Sequence, residues 1–116
     1  MKEKRTLLFL DDDKTRWIQF RDKFLDAYAI TWVETADAAI EALKTNTYDI
    51  ISLDHDLGGQ AMVSSGKGTG YEVAEYIAAN DVPGQIIIHT LNPVGCDNMR
   101  RVIPGASVIP FYKLMG

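Results

Sequence analysis

Short, unbroken apolar runs alternate along this chain with longer stretches in which apolar residues recur every three or four positions. Leu7-Leu8-Phe9-Leu10 is the first run, and it stops at Asp11-Asp12-Asp13, as a strand buried on both faces does. From Lys14 to Tyr28, Trp17, Ile18, Phe20, Phe24, Leu25 and Tyr28 fall at helical spacing with charges between them, which predicts an amphipathic helix. Ala29 to Val33 reads as a second strand, and Thr35 as the N-cap of a second helix carrying Ala36, Ala39, Ile40 and Leu43. Asp49 to Leu53 leads to Asp54-His55-Asp56, after which a Gly- and Ser-rich stretch, Gly58 to Gly70, predicts a long loop. Tyr71 to Ala79 is a third helix, and Pro83-Gly84 turns the chain into the apolar strand Gln85 to Thr90. Asn92-Pro93 fits the N-cap and first turn of a helix reaching Val102, Gly105 breaks it, and Ser107 to Tyr112 reads as a fifth strand. The sequence stops at Gly116, so the helix expected after the fifth strand is missing.

Strands and helices in strict alternation imply right-handed crossovers and one parallel sheet, an α/β doubly wound architecture. With 116 residues, the chain reads as a single domain spanning 1–116, with no repeat, low-complexity tract or linker. A formal net charge of −4 gives no broad basic surface, so bulk DNA binding is not expected. Cys96 is the only cysteine, which excludes an internal disulfide or a cysteine-based zinc site and suits a reducing compartment. The apolar run near the start is too short for a signal peptide or membrane span, so a cytoplasmic location and no membrane partner are expected.

In open parallel sheets, ligands bind beyond the carboxyl ends of the strands. The polar residues gather there: Asp11, Asp12 and Asp13 after the first strand, Asp54, His55 and Asp56 after the third, and His89, Thr90 and Asn92 after the fourth. Carboxylates that close repel unless a cation compensates them, and oxygen ligands favour Mg²⁺ or Mn²⁺, so Asp11, Asp12, Asp54 and Asp56 are candidate metal ligands. Asp13 is better placed to cap the first helix, and Asn92 to cap the fourth. A histidine moves protons near neutral pH, which makes His55 and His89 candidate acid–base groups beside such a metal. Ser65 and Lys67, in the loop before Gly70, offer a hydroxyl and a cation to a phosphate, although the Gly-Lys-Ser/Thr spacing of a P-loop is absent.

The run Leu7 to Asp13, the stretch Thr35 to Leu43, the strand ending at Asp54, the helix start Gly70-Tyr71-Glu72-Val73 and Thr90 together resemble bacterial response-regulator receiver domains. The resemblance spans nearly the whole chain and implies the flavodoxin-like strand order 2-1-3-4-5. It places Asp11 and Asp12 as the metal-binding acidic pair, Asp54 as the phosphoacceptor position and Thr90 as the hydroxyl that contacts a phosphoryl group. Four features depart from it: an insertion around Ala61 to Gly68, a lysine out of register at Lys113 with Tyr112 in its place, the missing last helix, and the two histidines. Asp54-His55-Asp56 followed by His89-Thr90-Leu91-Asn92 is similar to the narrower group of cyclic-phosphate processing receiver domains. That similarity implies binding or hydrolysis of cyclic phosphates, such as cyclic nucleotides or RNA 2′,3′-cyclic ends. The catalytic set is then Asp54, His55, His89 and Thr90, with Ser65, Lys67 and Asn92 on the phosphate.

Three other readings share these residues: a stand-alone signalling receiver phosphorylated on Asp54, a protein that sequesters a cyclic phosphate without turnover, and a haloacid-dehalogenase-like phosphatase. The last suits Asp-x-Asp after an apolar strand, but too little chain follows Asp54 for its later motifs. Without a closing helix, Val108, Ile109, Phe111 and Tyr112 are expected to be under-covered, which points to a homodimer through that strip.

Overall fold

The computed structural model describes residues 4–116. Five strands, β1 (Arg5–Leu10), β2 (Tyr28–Val33), β3 (Ile50–Leu53), β4 (Gln85–Ile88) and β5 (Ser107–Val108), alternate with helices α1 (Lys14–Phe24), α2 (Ala36–Thr45), α3 (Gly70–Asn80), α4 (Pro93–Val102) and α5 (Phe111–Met115). The strands form one all-parallel sheet in the order β2-β1-β3-β4-β5. No helix among the described residues is long and apolar enough to cross a membrane.

The period-two alternation of side chains sorts the core into two layers of different character. Leu8 and Leu10 of β1, Ile51 and Leu53 of β3, and Ile86 and Ile88 of β4 face α2, α3 and α4 in a largely aliphatic cluster. Leu7 and Phe9, Ile50 and Ile87 face the other way, against Trp17, Phe20 and Phe24 of α1 and Phe111, Leu114 and Met115 of α5. This second layer is aromatic: Phe9 stacks on Phe20 with ring centroids 4.1 Å apart, and Trp17 stacks on Trp32 at 5.1 Å.

The expected caps form, with Asp13 accepting from the Arg16 N–H, Thr35 from Ala38 and Asn92 from Gly95. Three expectations are corrected. The first helix ends at Phe24, because Tyr28 is drawn into register with Arg5 as the start of β2, and sheet pairing overrides a helical spacing that continued through it. The fifth strand stops at Val108 instead of running to Tyr112. Ile109 still donates to Ile88, but Pro110 has no N–H to give and its fixed φ turns the chain into α5, a short helix where none was expected. Phe111 is thereby buried against Phe9, and Val108 and Tyr112 remain the exposed large apolar residues of that strip.

The α1 layer rests on Phe20, 2% exposed and stacked on Phe9. Replacing it by Ala is expected to cost about 3–5 kcal/mol, the usual loss for a buried aromatic. Urea denaturation should show this as a lower midpoint with an unchanged slope.

Candidate functional site

The register delivers three side chains to one place. Leu10 pairs with Leu53 and Leu53 with Ile88, so the next residues, Asp11, Asp54 and His89, stand side by side on three adjacent strands. The backbone continues the ladder one step further, with Asp54 donating to Leu10 and His89 to Leu53. Alternation turns all three towards the α1 and α5 layer, and a carboxylate oxygen or ring nitrogen of each lies within 4.8 Å of the others.

Asp11 is fully buried, so its charge needs compensation within the protein. Oδ1 accepts from the Asp13 N–H (2.9 Å) and from Arg16 Nη2 (2.8 Å). Oδ2 accepts from Arg16 Nε (2.9 Å) and from His89 Nε2 (3.0 Å). Burial alone would push this carboxyl up, but the bonds from His89 and Arg16, the field of His89 and the Asp13 N–H together hold it below the usual carboxylate range. Arg16 stays charged, its pKa raised first by Asp11, against the opposing effect of burial. Its Nη2 also lies 3.4 Å from Asp54 Oδ2 and 3.9 Å from Asp12.

Asp54 differs from Asp11 in one respect: it has fewer donors. Oδ1 accepts from the His55 N–H, and Oδ2 meets only the long contact to Arg16. Desolvation therefore dominates, and with the nearby Asp11 charge it pushes the Asp54 carboxyl up to about 6, against the fields of His89 and Arg16. Gly70 opens α3 directly beside it, where a Cβ would overlap the Asp54 carbonyl.

His89 has both ring nitrogens engaged, Nε2 by Asp11 and Nδ1 by the Ser52 hydroxyl at 2.8 Å. It is buried and stacked on Phe9, centroids 4.9 Å apart. His55 follows Asp54 by one residue and so points to the opposite face of the sheet. There its Nδ1 bonds Asp56 (2.7 Å) and its Nε2 bonds the Ser65 hydroxyl (2.8 Å). The arrangement has the order of a Ser-His-Asp triad, yet Ser65 also accepts from Asn98 and does not line the cleft described below. It ties the inserted loop down. Gly95 of α4 lies so close that a Cβ there would overlap the His55 ring. Asn92, besides capping α4, donates to Asp56 Oδ1 (3.0 Å) and to the Val63 carbonyl (3.1 Å). The second Asp56 oxygen takes the Met62 N–H (2.7 Å). Burial would raise Asp56, but Asn92, His55 and Met62 outweigh it and leave the carboxyl lowered.

A cleft of about 350 Å³ opens over Asp54 and His89. Asp12, Asp13, Arg16, Asp56 and Thr90 line its polar part, and Ala61, Met62, Leu91 and Phe111 its apolar part. Asp12 is anchored by accepting from the Gly59 N–H, which the Gly58-Gly59 turn presents with both residues at positive φ. Thr90 is buried, and its hydroxyl accepts from the Asn92 N–H at 3.1 Å.

Of the candidate residues, the structure thus brings Asp11, Asp12, Asp54, Asp56, His89 and Thr90 to one rim. It places His55, Ser65 and Asn92 in the network behind that rim. Lys67 borders a separate groove with Glu34, Asp37 and Glu72. Arg16, Ser52 and Trp32 escaped the sequence reading. Arg16 is the only Lys or Arg lining the cleft among the described residues, and Trp32 Nε1 donates to the Asp11 carbonyl at 2.8 Å. Ser52 had a signal, a polar residue inside the apolar run Ile50 to Leu53.

Oxygen donors of this kind suit a hard divalent ion, with Asp11, Asp12 and Asp54 as the residues that would hold it. Asp56 has its oxygens committed to His55, Asn92 and Met62. Asp11 can join such a set only if one of its present donors leaves, since all four of its lone-pair directions are used.

No curated protein sequence matches the chain. Among solved structures, it is similar to the signal receiver domain of a Luxo repressor protein from Vibrio parahaemolyticus, at 27% identity over 91% of this chain and 76% of that one, with a TM-score of 0.71. The receiver domain of the Francisella response regulator 1452 superposes with a TM-score of 0.73 at 17% identity, over 96% of this chain and 90% of that one. A CheY-like receiver domain protein from Methanospirillum hungatei gives 0.72 at 15% identity, over 91% and 79%. These likenesses carry the fold, which is that of response-regulator receivers. Residues 6–104 match the model of the cyclic-phosphate processing receiver domain, and the chain belongs to that family.

Proposed function

We propose that this receiver domain binds a cyclic phosphate ester in the cleft and opens it by hydrolysis, with Asp54 moving the proton. The observation that carries this reading is the Asp54 carboxyl, which lines the cleft beside Arg16. Burial brings it to about 6, so it exchanges a proton near neutrality, whereas both histidine rings have their nitrogens bonded within the protein. Asp54 takes a proton from water as the water oxygen bonds to phosphorus. The ester P–O bond of the ring breaks, and the leaving oxygen recovers that proton. Arg16 and the Thr90 hydroxyl face the phosphoryl oxygens from the cleft wall. A bound Mg²⁺ or Mn²⁺ would add charge neutralisation at the phosphoryl group. Met62, Leu91 and Phe111 give the cleft an apolar border, which suits a phosphate carried on a nucleoside, as in a cyclic nucleotide or an RNA 2′,3′-cyclic end.

His89 then acts by holding Asp11, and His55 by holding the loop that forms one cleft wall. Ser65 and Asn92 share the second role. Lys67 borders its own groove, so it takes no part in this reading.

The competing reading, phosphoryl signalling through Asp54, is favoured by the receiver fold, by the closeness of Asp11 to Asp54 and by Asp12 lining the same cleft. Against it, Phe111 lines the cleft after β5, while Lys113 is exposed on α5. The phosphatase reading falls with the assignment to a receiver family. The homodimer reading rests now on Val108 and Tyr112 alone, 40% and 63% exposed, and light scattering at high micromolar concentration tests it.

Incubation with cyclic nucleotides, 2′,3′-cyclic-ended RNA and acetyl phosphate, each with and without Mg²⁺, separates these readings by product and by protein mass. Opened cyclic ester with unchanged protein mass supports hydrolysis, binding without product supports sequestration, and stable phosphorylation with no product leaves only signalling. Asp54→Asn is expected to lower turnover by about 10²- to 10⁴-fold. His55→Ala should act differently, lowering stability through the lost bonds to Asp56 and Ser65 while costing less turnover per folded molecule than Asp54→Asn. Equal losses in the two variants at matched folded fraction would make His55 the proton carrier instead. Gly95→Ala, which crowds the His55 ring from α4, should cost about 1–3 kcal/mol in chemical denaturation.

A further inference from the structure

Asp11 accepts four hydrogen bonds, two on each oxygen, which uses the full acceptor capacity of a carboxylate. It therefore has no vacant lone pair with which to ligate a metal ion. One donor must leave first, and the four are unequal. The Asp13 N–H belongs to the turn that starts α1, where Asp13 is fixed by capping Arg16. His89 is 1% exposed, bonded to Ser52 behind and stacked on Phe9. Arg16 alone is partly open, with about a third of its side chain exposed (32%), and its guanidinium already lines the cleft. It is also the group whose charge stands in for an ion: besides the two bonds to Asp11, its nitrogens lie 3.4 Å from Asp54, 3.9 Å from Asp12 and 3.6 Å from Asp13.

We propose that Arg16 is a built-in occupant of the cation position formed by Asp11, Asp12 and Asp54, so that its guanidinium and a divalent ion exclude each other at Asp11. Metal enters only as Arg16 swings out into the cleft. The affinity for metal is thus set by the strength of the Arg16–Asp11 fork as well as by the carboxylates. The displaced guanidinium stays on the first turn of α1, next to the same cleft, where it becomes free to pair with a phosphoryl group. Metal occupancy and anion affinity are coupled in consequence, each favouring the conformer in which Arg16 has left Asp11. This holds whichever phosphate the cleft takes.

The molecule carries its own reporter. Trp17 follows Arg16 directly and stacks on Trp32, whose Nε1 donates to the Asp11 carbonyl. Mg²⁺ titration is read by intrinsic tryptophan fluorescence and by the thermal midpoint, on the whole chain, without substrate. The wild type should respond only weakly, and Arg16→Gln, which removes the charge and the fork, should reach half-saturation at a Mg²⁺ concentration lower by about tenfold or more. Its thermal midpoint without metal should fall below that of the wild type, since Asp11 is left undercompensated, and saturating Mg²⁺ should restore it. A second measurement needs no variant: the Arg16 Nε–H signal in a ¹⁵N–¹H spectrum should be protected without metal and lose that protection as Mg²⁺ saturates. The proposal is overturned if Arg16→Gln binds Mg²⁺ no more tightly than the wild type, if neither binds it, or if the Nε–H signal is unchanged in the Mg²⁺-saturated wild type. Should Arg16→Gln not fold, the spectrum of the wild type decides.

Discussion

A single buried charge, that of Asp11, sets the terms for the rest of this rim. A carboxylate excluded from solvent is stable only if its acceptor sites are filled, and here they are filled from three parts of the chain. Arg16 fastens α1 to the end of β1, and His89 fastens β4 to β1 across the intervening β3. The backbone of the same residue takes Trp32 from β2. Three strands and a helix thus converge on one residue. What remains for Asp54, one strand over, is a share of Arg16 and the neighbouring His55 N–H. The contrast between a depressed Asp11 and a raised Asp54 follows from how the donors are divided, since both carboxyls are buried.

The two faces of the sheet divide the labour. Counting alternately from the core, Leu7, Phe9 and Asp11 fall on one side, with Ile50, Ser52 and Asp54, and with Ile87 and His89. The chemistry of the rim therefore sits over the aromatic layer, and α1 carries both that layer and Arg16. His55, on the other parity, falls over the aliphatic layer and meets α4. The similar pair of histidines in the sequence resolves into a rim residue and a brace. The brace matters because the inserted loop, Gly58 to Thr69, has no secondary structure of its own. Its position depends on bonds from Ser65, Val63 and Met62 to His55, Asn92 and Asp56.

Most of this architecture was legible in the order of apolar runs. Unbroken runs such as Leu7 to Leu10, short and ended by polar residues, fit central strands, and Asp13, Thr35 and Asn92 mark helix starts by their own hydrogen-bonding capacity. The boundaries that failed were decided by partners far away in sequence. Tyr28 has helical spacing from Phe24 but pairs with Arg5, and the last strand is cut by Pro110 while α5 packs on Phe20 and Phe9. In the site, parity alone separates His55 from Asp54. Arg16 was hidden for another reason: a charged residue in the first turn of an amphipathic helix reads as solvated surface. Only the cap at Asp13, which turns the chain back over the end of β1, brings its guanidinium to Asp11.

The reach of Arg16 to Asp11 gives an acidic cluster a second meaning. Three carboxylates at neighbouring strand ends repel, and from sequence the natural remedy is an ion from solution. The chain contains a second remedy, five residues after Asp11, and the two differ in their consequences. A guanidinium supplied by α1 compensates Asp11 from within the chain and fixes the helix to the sheet. It also satisfies Asp11 more completely than Asp54, and leaves the latter close to neutrality and facing the cleft. The same side chain that compensates Asp11 also lines the cleft beside Asp54, and α1 thereby joins the stability of the sheet to the chemistry at its edge.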